Sequence, residues 1–354
     1  MRRVADTWVW SIFCRMYPFP EGRHQHRRHL KPHQRNAMRI GLVLQPFSEQ
    51  SLQLAAQLGA TDVVAGMPAG DFDELVRLKS RVEDAGLSLS VIEGLMSIDE
   101  VVLGDGGRDA CIKEFQQGLR KMGAAGIPTL CYNFMVWRPG VGVVRTSYTT
   151  RERGGSWVSS FDADLLAQAP EIPGATIEEE RVWENLEYFL KAVIPVAEEA
   201  GVKLAMHPDD PPMSLRGQAR IMSTPDNFER LVNLVKSPSN GLTFCQGCFS
   251  EMGADIPATI RRFADDIHFV HFRDVQGQVP KFSESWHDNG KTDMLSAMQA
   301  YADVGFSGVM RPDHAPFLHG AGDDGEPTGY TMTGKIFAVG YMHGLREAAL
   351  KDAS

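Results

Sequence analysis

No apolar run in this chain approaches the ~20 residues that a membrane-spanning helix needs, so no membrane is expected as a partner. Cysteine is scarce, five in 354 residues, which is too few for a disulfide framework in a chain of this length. A reducing compartment follows as the simplest setting, and the cytoplasm as the expected location. Basic residues are outnumbered, 36 Lys and Arg against 45 Asp and Glu, and the net charge of −9 argues against a general nucleic-acid binder. From residue 38 onward there is no internal repeat and no low-complexity stretch. No Gly-x-Gly-x-x-Gly follows the first apolar run, which removes the fingerprint of a dinucleotide-binding sheet. Histidine is absent between Ala37 and His207, and all seven histidines of the body fall between 207 and 343.

What is present is unevenly spread. Residues 1–37 carry eight Lys or Arg and only Asp6 and Glu21, with four of the eleven histidines and no period of 2 or 3.6. We read them as a basic, disordered N-terminal extension. Asp6 breaks the short apolar run and no small-residue cleavage site follows, which speaks against a signal peptide. The catalytic domain is expected over 38–354.

From Met38 the pattern alternates. Apolar, β-branched runs at 39–44, 61–65, 87–92, 128–132, 202–206, 242–245, 267–272 and 308–311 are each followed by an amphipathic stretch. Those stretches lie near 49–58, 71–85, 109–124, 178–200, 225–236, 255–265, 292–304 and 330–350. Gly59, Gly86, Gly126, Gly201 and Gly305 stand where helices should end. Asp71, Thr176 and Thr224 are expected N-caps, the last followed by Pro225 at the first helical position. Eight strands alternating with eight helices predict a closed single (β/α)8 TIM barrel rather than an open sheet. One connection is far longer than the rest. More than 40 residues separate the fourth strand from the helix near 176, and they include Trp137, Arg138, Arg145, Arg151, Arg153 and Trp157. This is read as a long loop insertion after strand 4, on the face where barrel active sites form.

The candidate chemistry sits at strand ends. His207 follows the fifth strand, Cys245 closes the sixth, His271 lies at the end of the seventh and Asp313 just past the eighth. Imidazole, thiolate, imidazole and carboxylate at one level of four consecutive strands make a divalent-metal set. His268 is three residues from His271, and residues at that spacing on a strand face opposite sides, so only one of them points inward. Cys245 and Cys248 lack both a thioredoxin-like context and a second pair, so Cys245 is taken as a ligand and Cys248 as a loop cysteine. Cys111 and Cys131 read as core.

At these residues a family resemblance becomes plain. The segments are His207-Pro208-Asp209-Asp210-Pro211-Pro212, Asn240-Gly241-Leu242-Thr243-Phe244-Cys245-Gln246-Gly247, Ile267-His268-Phe269-Val270-His271-Phe272-Arg273 and Met310-Arg311-Pro312-Asp313-His314, with Tyr132-Asn133-Phe134-Met135 earlier. In this order they resemble mannonate dehydratase, a metal-dependent enzyme of hexuronate breakdown among the xylose-isomerase-like barrels. The stretches 137–164 and 315–327 depart from the family's pattern. The resemblance implies metal ligands at His207, Cys245, His271 and Asp313, with Mn2+ or Fe2+ as the ion. It implies acid–base work at His314 and Tyr330. The partner it implies is a small-molecule sugar acid, D-mannonate or a close aldonic acid, dehydrated to 2-keto-3-deoxy-D-gluconate, and it leaves a homo-oligomer open.

The residue types suit that reaction. It removes a proton at C2 and expels hydroxide from C3, which calls for a cation near the carboxylate and for a positioned acid and base. Arg273, two residues after His271, is a candidate for the substrate carboxylate. Asn133 and Asp209 are candidates for its hydroxyls. Two rival readings are a sugar isomerase or epimerase on the same barrel, for which Glu93 is the extra strand-end carboxylate, and a non-catalytic sugar-acid binding homologue.

Overall fold

The computed structural model describes residues 38–137, 142–167, 169–319 and 329–352. The basic extension at 1–37, Arg138 and most of 315–327 lie outside them. The strands are β1 (Arg39–Val43), β2 (Asp62–Ala65), β3 (Ser88–Glu93), β4 (Thr129–Tyr132), β5 (Ser147–Arg151), β6 (Trp157–Asp162), β7 (Lys203–Met206), β8 (Asn240–Cys245), β9 (Ile267–Phe272), β10 (Val275–Gln278), β11 (Lys281–Glu284) and β12 (Val309–Pro312). The helices are α1 (Glu49–Gln57), α2 (Phe72–Asp84), α3 (Asp99–Leu103), α4 (Arg108–Ala124), α5 (Ala163–Leu166), α6 (Glu179–Ala200), α7 (Pro225–Leu234), α8 (Gln246–Glu251), α9 (Ile256–Arg262), α10 (Met294–Asp303) and α11 (Met332–Asp352).

Eight strands close a barrel in the order β1-β12-β9-β8-β7-β4-β3-β2, with every neighbouring pair parallel. The eight expected strands are these, within one or two residues at each end. Their near-continuous apolar runs fit strands covered on both faces; every residue of β8 and of β9 is buried. Val64, Val91, Cys131, Ala205, Phe269 and Val309, from six different strands, pack on one another and fill the interior. The outer faces of the strands pack against the helices. On α6, Val182, Leu186, Phe189, Leu190 and Val193 repeat at helical spacing and are all buried. Each fully buried Leu or Phe of such a face contributes roughly 1.5–3 kcal/mol. Gly201 ends α6 in the left-handed conformation at φ 67°.

The expected caps at Asp71 and Thr224 accept the backbone N–H of Glu74 and Asn227. Thr176 does not cap α6; the N-cap is Glu178 and the Thr176 hydroxyl donates to Glu171. The cause is tertiary. Ile177 donates its N–H to Gly217 and accepts from Ala219, which holds it extended and delays the helix.

The long connection after β4 is not a plain loop. It carries β5, β6 and α5, and its strands join β10 and β11 from the connection after β9. Together they form a four-stranded antiparallel sheet in the order β10-β11-β6-β5. Phe161 and Phe282 stand opposite each other, 5.7 Å apart, and pack with Leu215 and Val275. This sheet sits beside the C-terminal ends of the barrel strands. Among the described residues no helix is long and apolar enough to cross a membrane.

Candidate active site

Parallel register brings the strand ends to one level. Cys245 on β8 stands opposite His271 on β9, and His271 opposite Arg311 on β12. His207 follows β7 and is held by its N–H on the Tyr132 carbonyl, 2.8 Å away. Asp313 follows β12 and donates its N–H to the Phe272 carbonyl at 3.1 Å. All four side chains are buried.

The reactive atoms converge. His207 Nε2 lies 3.0 Å from His271 Nδ1. Asp313 Oδ2 lies 3.7 Å from His271 Nδ1 and 4.0 Å from Cys245 Sγ. His207, Cys245 and His271 can each bring a ligand atom within 4.8 Å of the other two. His207 Nδ1 is 2.6 Å from its neighbour's carbonyl, Pro208 O, which can accept its hydrogen and turns Nε2 toward the cluster. The two imidazoles thus face one another across a gap that suits a shared cation, with a thiolate and a carboxylate beside it. The donor set fits a divalent transition metal.

Charges around the cluster reinforce this. Burial alone would raise the Cys245 thiol, but hydrogen bonds from Cys248, His207 and His271 and the Arg273 guanidinium hold it well below the usual thiol range. Burial likewise opposes ionisation of Asp313, and His314, Arg311 and His271 overcome it. Burial disfavours a charge on His207, yet the adjoining Cys245 thiolate, Asp313 and Glu93 raise it to about 9. The cluster is a dense set of anions and imidazoles in a water-poor setting.

His268, by contrast, turns to the outer face, where its Nδ1 lies 2.8 Å from the Leu204 carbonyl. Cys248 is not merely a loop cysteine. It is buried on α8, beside Cys245, and its Sγ lies 3.4 Å from Arg273 Nη1. Cys111 and Cys131 are buried, and Thr243 Oγ1 donates to Cys131 Sγ.

His314 has φ 33°, a left-handed conformation that side chains rarely adopt and that needs local support. Its Nδ1 lies 2.7 Å from Glu284 Oε1 and its Nε2 3.8 Å from Asp313 Oδ2. The Tyr330 ring stands edge-on to the His314 ring at 5.1 Å. A backbone bridge between Ala315 and Tyr330 ties the two segments together. Burial and the Asp313 carboxylate push the Tyr330 phenol well above its usual value.

A cavity of about 630 Å3 opens beside this cluster over the ends of β1–β4, with Gln45, Glu93, Ser97, Asn133, Arg311 and Tyr330 on its wall. Of the three residues expected from the sequence to touch substrate, Asn133 is on that wall, its amide nitrogen 3.2 Å from His207 Nδ1. Asp209 is not. Its Oδ2 accepts the Met222 N–H, and its own N–H donates to Met222 O, so it pins the segment after β7. Arg273 is also off the wall. Its guanidinium is engaged by Glu251, Glu284 and Asp210 and lies 3.6 Å from Cys245 Sγ. Gly247 lets it approach; a Cβ there would come within 2.6 Å of Arg273 Nε.

Several site residues were not singled out by sequence reasoning. Glu284 bridges His314, Arg145 and Arg273. Arg311 donates to both oxygens of Glu93, at 2.8 and 2.6 Å, and to Asp313 Oδ1 at 2.7 Å. Lys335 is buried, donates to Val43 O at 3.0 Å and lies 5.4 Å from the Tyr330 ring centre. Arg311 sits inside the Arg-Pro-Asp-His motif, and Arg145 in the arginine-bearing connection, so both carried a signal. Glu284 and Lys335 carried none.

Comparison with known proteins places the chain in a family. The family model for D-mannonate dehydratase (UxuA) matches residues 47–172 and 174–354. The chain is 35% identical over 305 residues to mannonate dehydratase 2 of Halalkalibacterium halodurans, covering 78% of this chain and 87% of the relative. It is 34% identical over 337 residues to the mannonate dehydratase of Streptococcus uberis, covering 86% and 95%. The crystal structure of mannonate dehydratase from Streptococcus suis serotype 2 superimposes with a TM-score of 0.82 at 32% identity, over 90% of this chain and 96% of that one. Matched in sequence along nearly its whole described length, and in fold by a solved relative, the chain belongs to the mannonate dehydratase family.

Proposed function

We propose that the protein is a metal-dependent hydro-lyase that dehydrates D-mannonate, or a close aldonic acid, to 2-keto-3-deoxy-D-gluconate in hexuronate breakdown. The observation that carries this reading is the convergence of His207, Cys245, His271 and Asp313 with the His314–Tyr330 pair, of which Tyr330 lines the adjoining cavity. Family membership supplies the hydro-lyase class. The epimerase reading has less support, because both oxygens of its extra carboxylate, Glu93, are engaged by Arg311.

His207, Cys245, His271 and Asp313 would hold the ion. A donor set of two imidazoles, a thiolate and a carboxylate suits a divalent transition metal better than Mg2+ or Ca2+, which prefer all-oxygen sites, and the family resemblance puts Mn2+ or Fe2+ first. When bound, such an ion supplies Lewis-acid stabilisation for the negative charge that develops beside the substrate carboxylate as the C2 proton leaves.

The remaining work falls to the chain itself. The cavity takes the sugar chain, and Asn133, Gln45 and Ser97 offer hydrogen bonds to its hydroxyls. His314 Nε2 takes the C2 proton, since its Nδ1 is engaged by Glu284. Tyr330, whose phenol burial keeps protonated, donates to the departing C3 hydroxyl. Arg273 and Asp209 act from behind the site. The first steadies the Cys245 thiolate, and the second fixes the segment that carries His207. The cytoplasm is the proposed setting, where a thiolate ligand stays reduced.

The test is a panel of hexonates incubated with metal-loaded and with chelator-treated protein, read by a 2-keto-3-deoxy acid assay. D-mannonate or a near stereoisomer should give product only with metal present. A loaded protein that turns over none of the panel sinks the proposal.

A further inference from the structure

We infer that Glu284 is the positioning residue of His314, delivered to the catalytic centre by the four-stranded sheet beside the barrel mouth. The inference rests on the acid–base role proposed above for His314. Glu284 ends β11 and is buried. Its Oε1 lies 2.7 Å from His314 Nδ1. The carboxylate is itself fixed from two sides: Arg145 Nη2 donates to Oε1 at 2.8 Å, and Arg273 donates to Oε2 through Nε at 2.7 Å and to Oε1 through Nη2 at 2.6 Å.

A carboxylate flanked by two guanidinium groups only accepts hydrogen bonds. The hydrogen shared with His314 must therefore sit on Nδ1. That leaves Nε2, the nitrogen turned toward Asp313, as the one that exchanges protons with substrate. Glu284 also anchors a residue with φ 33°, which the backbone alone would not favour. The supports of this carboxylate come from distant parts of the chain. Arg145 belongs to the connection after β4, Glu284 to the connection after β9, and β6 pairs with β11 to bring them together. A purely structural alternative exists, in which Glu284 serves only to neutralise Arg145 and Arg273.

The two are separated by Glu284→Gln. The amide is isosteric, but its NH2 can face Nδ1 and release His314 to the other tautomer. We expect kcat to fall by ~10²–10⁴-fold, the scale set by losing a histidine's carboxylate orienter, with KM and metal content within about threefold of the parent. In a His314→Ala background the same change should cost less than about twofold of the residual turnover, because the group it positions is gone. Equal losses in both backgrounds, or a fully active Glu284→Gln in which His314→Ala is inactive, overturn the inference while leaving the dehydratase reading intact. A fully active His314→Ala overturns the acid–base reading instead. Should Glu284→Gln fail to fold, histidine 15N NMR of the full chain loaded with a diamagnetic divalent ion decides the matter. The His314 signals are identified by their loss in His314→Ala. A protonated Nδ1 supports the inference, and an Nδ1 without hydrogen overturns it.

Discussion

Two imidazoles whose ring nitrogens meet at 3.0 Å, with a carboxylate and a thiol sulfur alongside, are a costly arrangement unless something positive is shared among them. That is the ground for proposing one function for the four residues. Ala substitution at His207, Cys245, His271 or Asp313 should each weaken metal affinity by more than ~100-fold, beyond the usual cost of losing an outer-shell partner. His268→Ala should keep full metal content, since His268 bonds the Leu204 carbonyl on the other face. Metal analysis of the five purified variants checks both statements. Acid and base can be separated too. Tyr330→Phe should still exchange the C2 hydrogen of the substrate with solvent while losing ~10²–10⁴-fold in dehydration, whereas His314→Ala should lose exchange as well. Exchange that survives in His314→Ala but not in Tyr330→Phe would reverse the assignment. The four strand-end positions were readable from sequence because strand ends in a parallel barrel are set by the chain's own alternation. Glu284 was not, because its partner His314 is reached only through the pairing of two remote hairpin strands.

At the scale of the element, the barrel strands announced themselves by continuous apolar runs, and the helix ends by glycine. The strands of the small sheet did not. Most of β5 and β10 is exposed or half-exposed, and Ser147–Arg151 and Val275–Gln278 contain no apolar run from which to read them. Thr176 failed as a cap for a similar reason, since a tertiary backbone pairing at Ile177 outweighed local preference. His268 gives β9 a measurable property. Burial lowers its pKa from 6.5 to about 4, so the unfolded chain takes up the proton first. Its contribution to stability is whole above about pH 6.5 and is lost as the pH falls through about 4, with a size on the order of 3 kcal/mol. Denaturant melts across that range should show a shallower pH slope for His268→Ala than for the parent. An unchanged slope would mean that the imidazole is not held neutral.

Taken as a whole, the molecule is a barrel with a sheet laid beside its mouth, and the two divide the labour. The barrel sets the four strand-end groups at one level, while the sheet brings Glu284 and Arg145 to His314. Barrel closure begins at Arg39, where β1 pairs with both β2 and β12. Deleting residues 1–37 should therefore leave thermal stability and turnover within about twofold, because all eight barrel strands lie after residue 38. A large loss of folded protein would place the segment inside the fold. The central claim is water loss begun at C2, and one measurement tests it most directly: mass spectrometry and NMR of the product formed from D-mannonate in D2O by the metal-loaded protein. The account predicts a product lighter by one water, with a single solvent deuterium at C3, where the enol collects its proton. A product isomeric with the substrate would contradict it, as would a dehydrated product with no deuterium at C3.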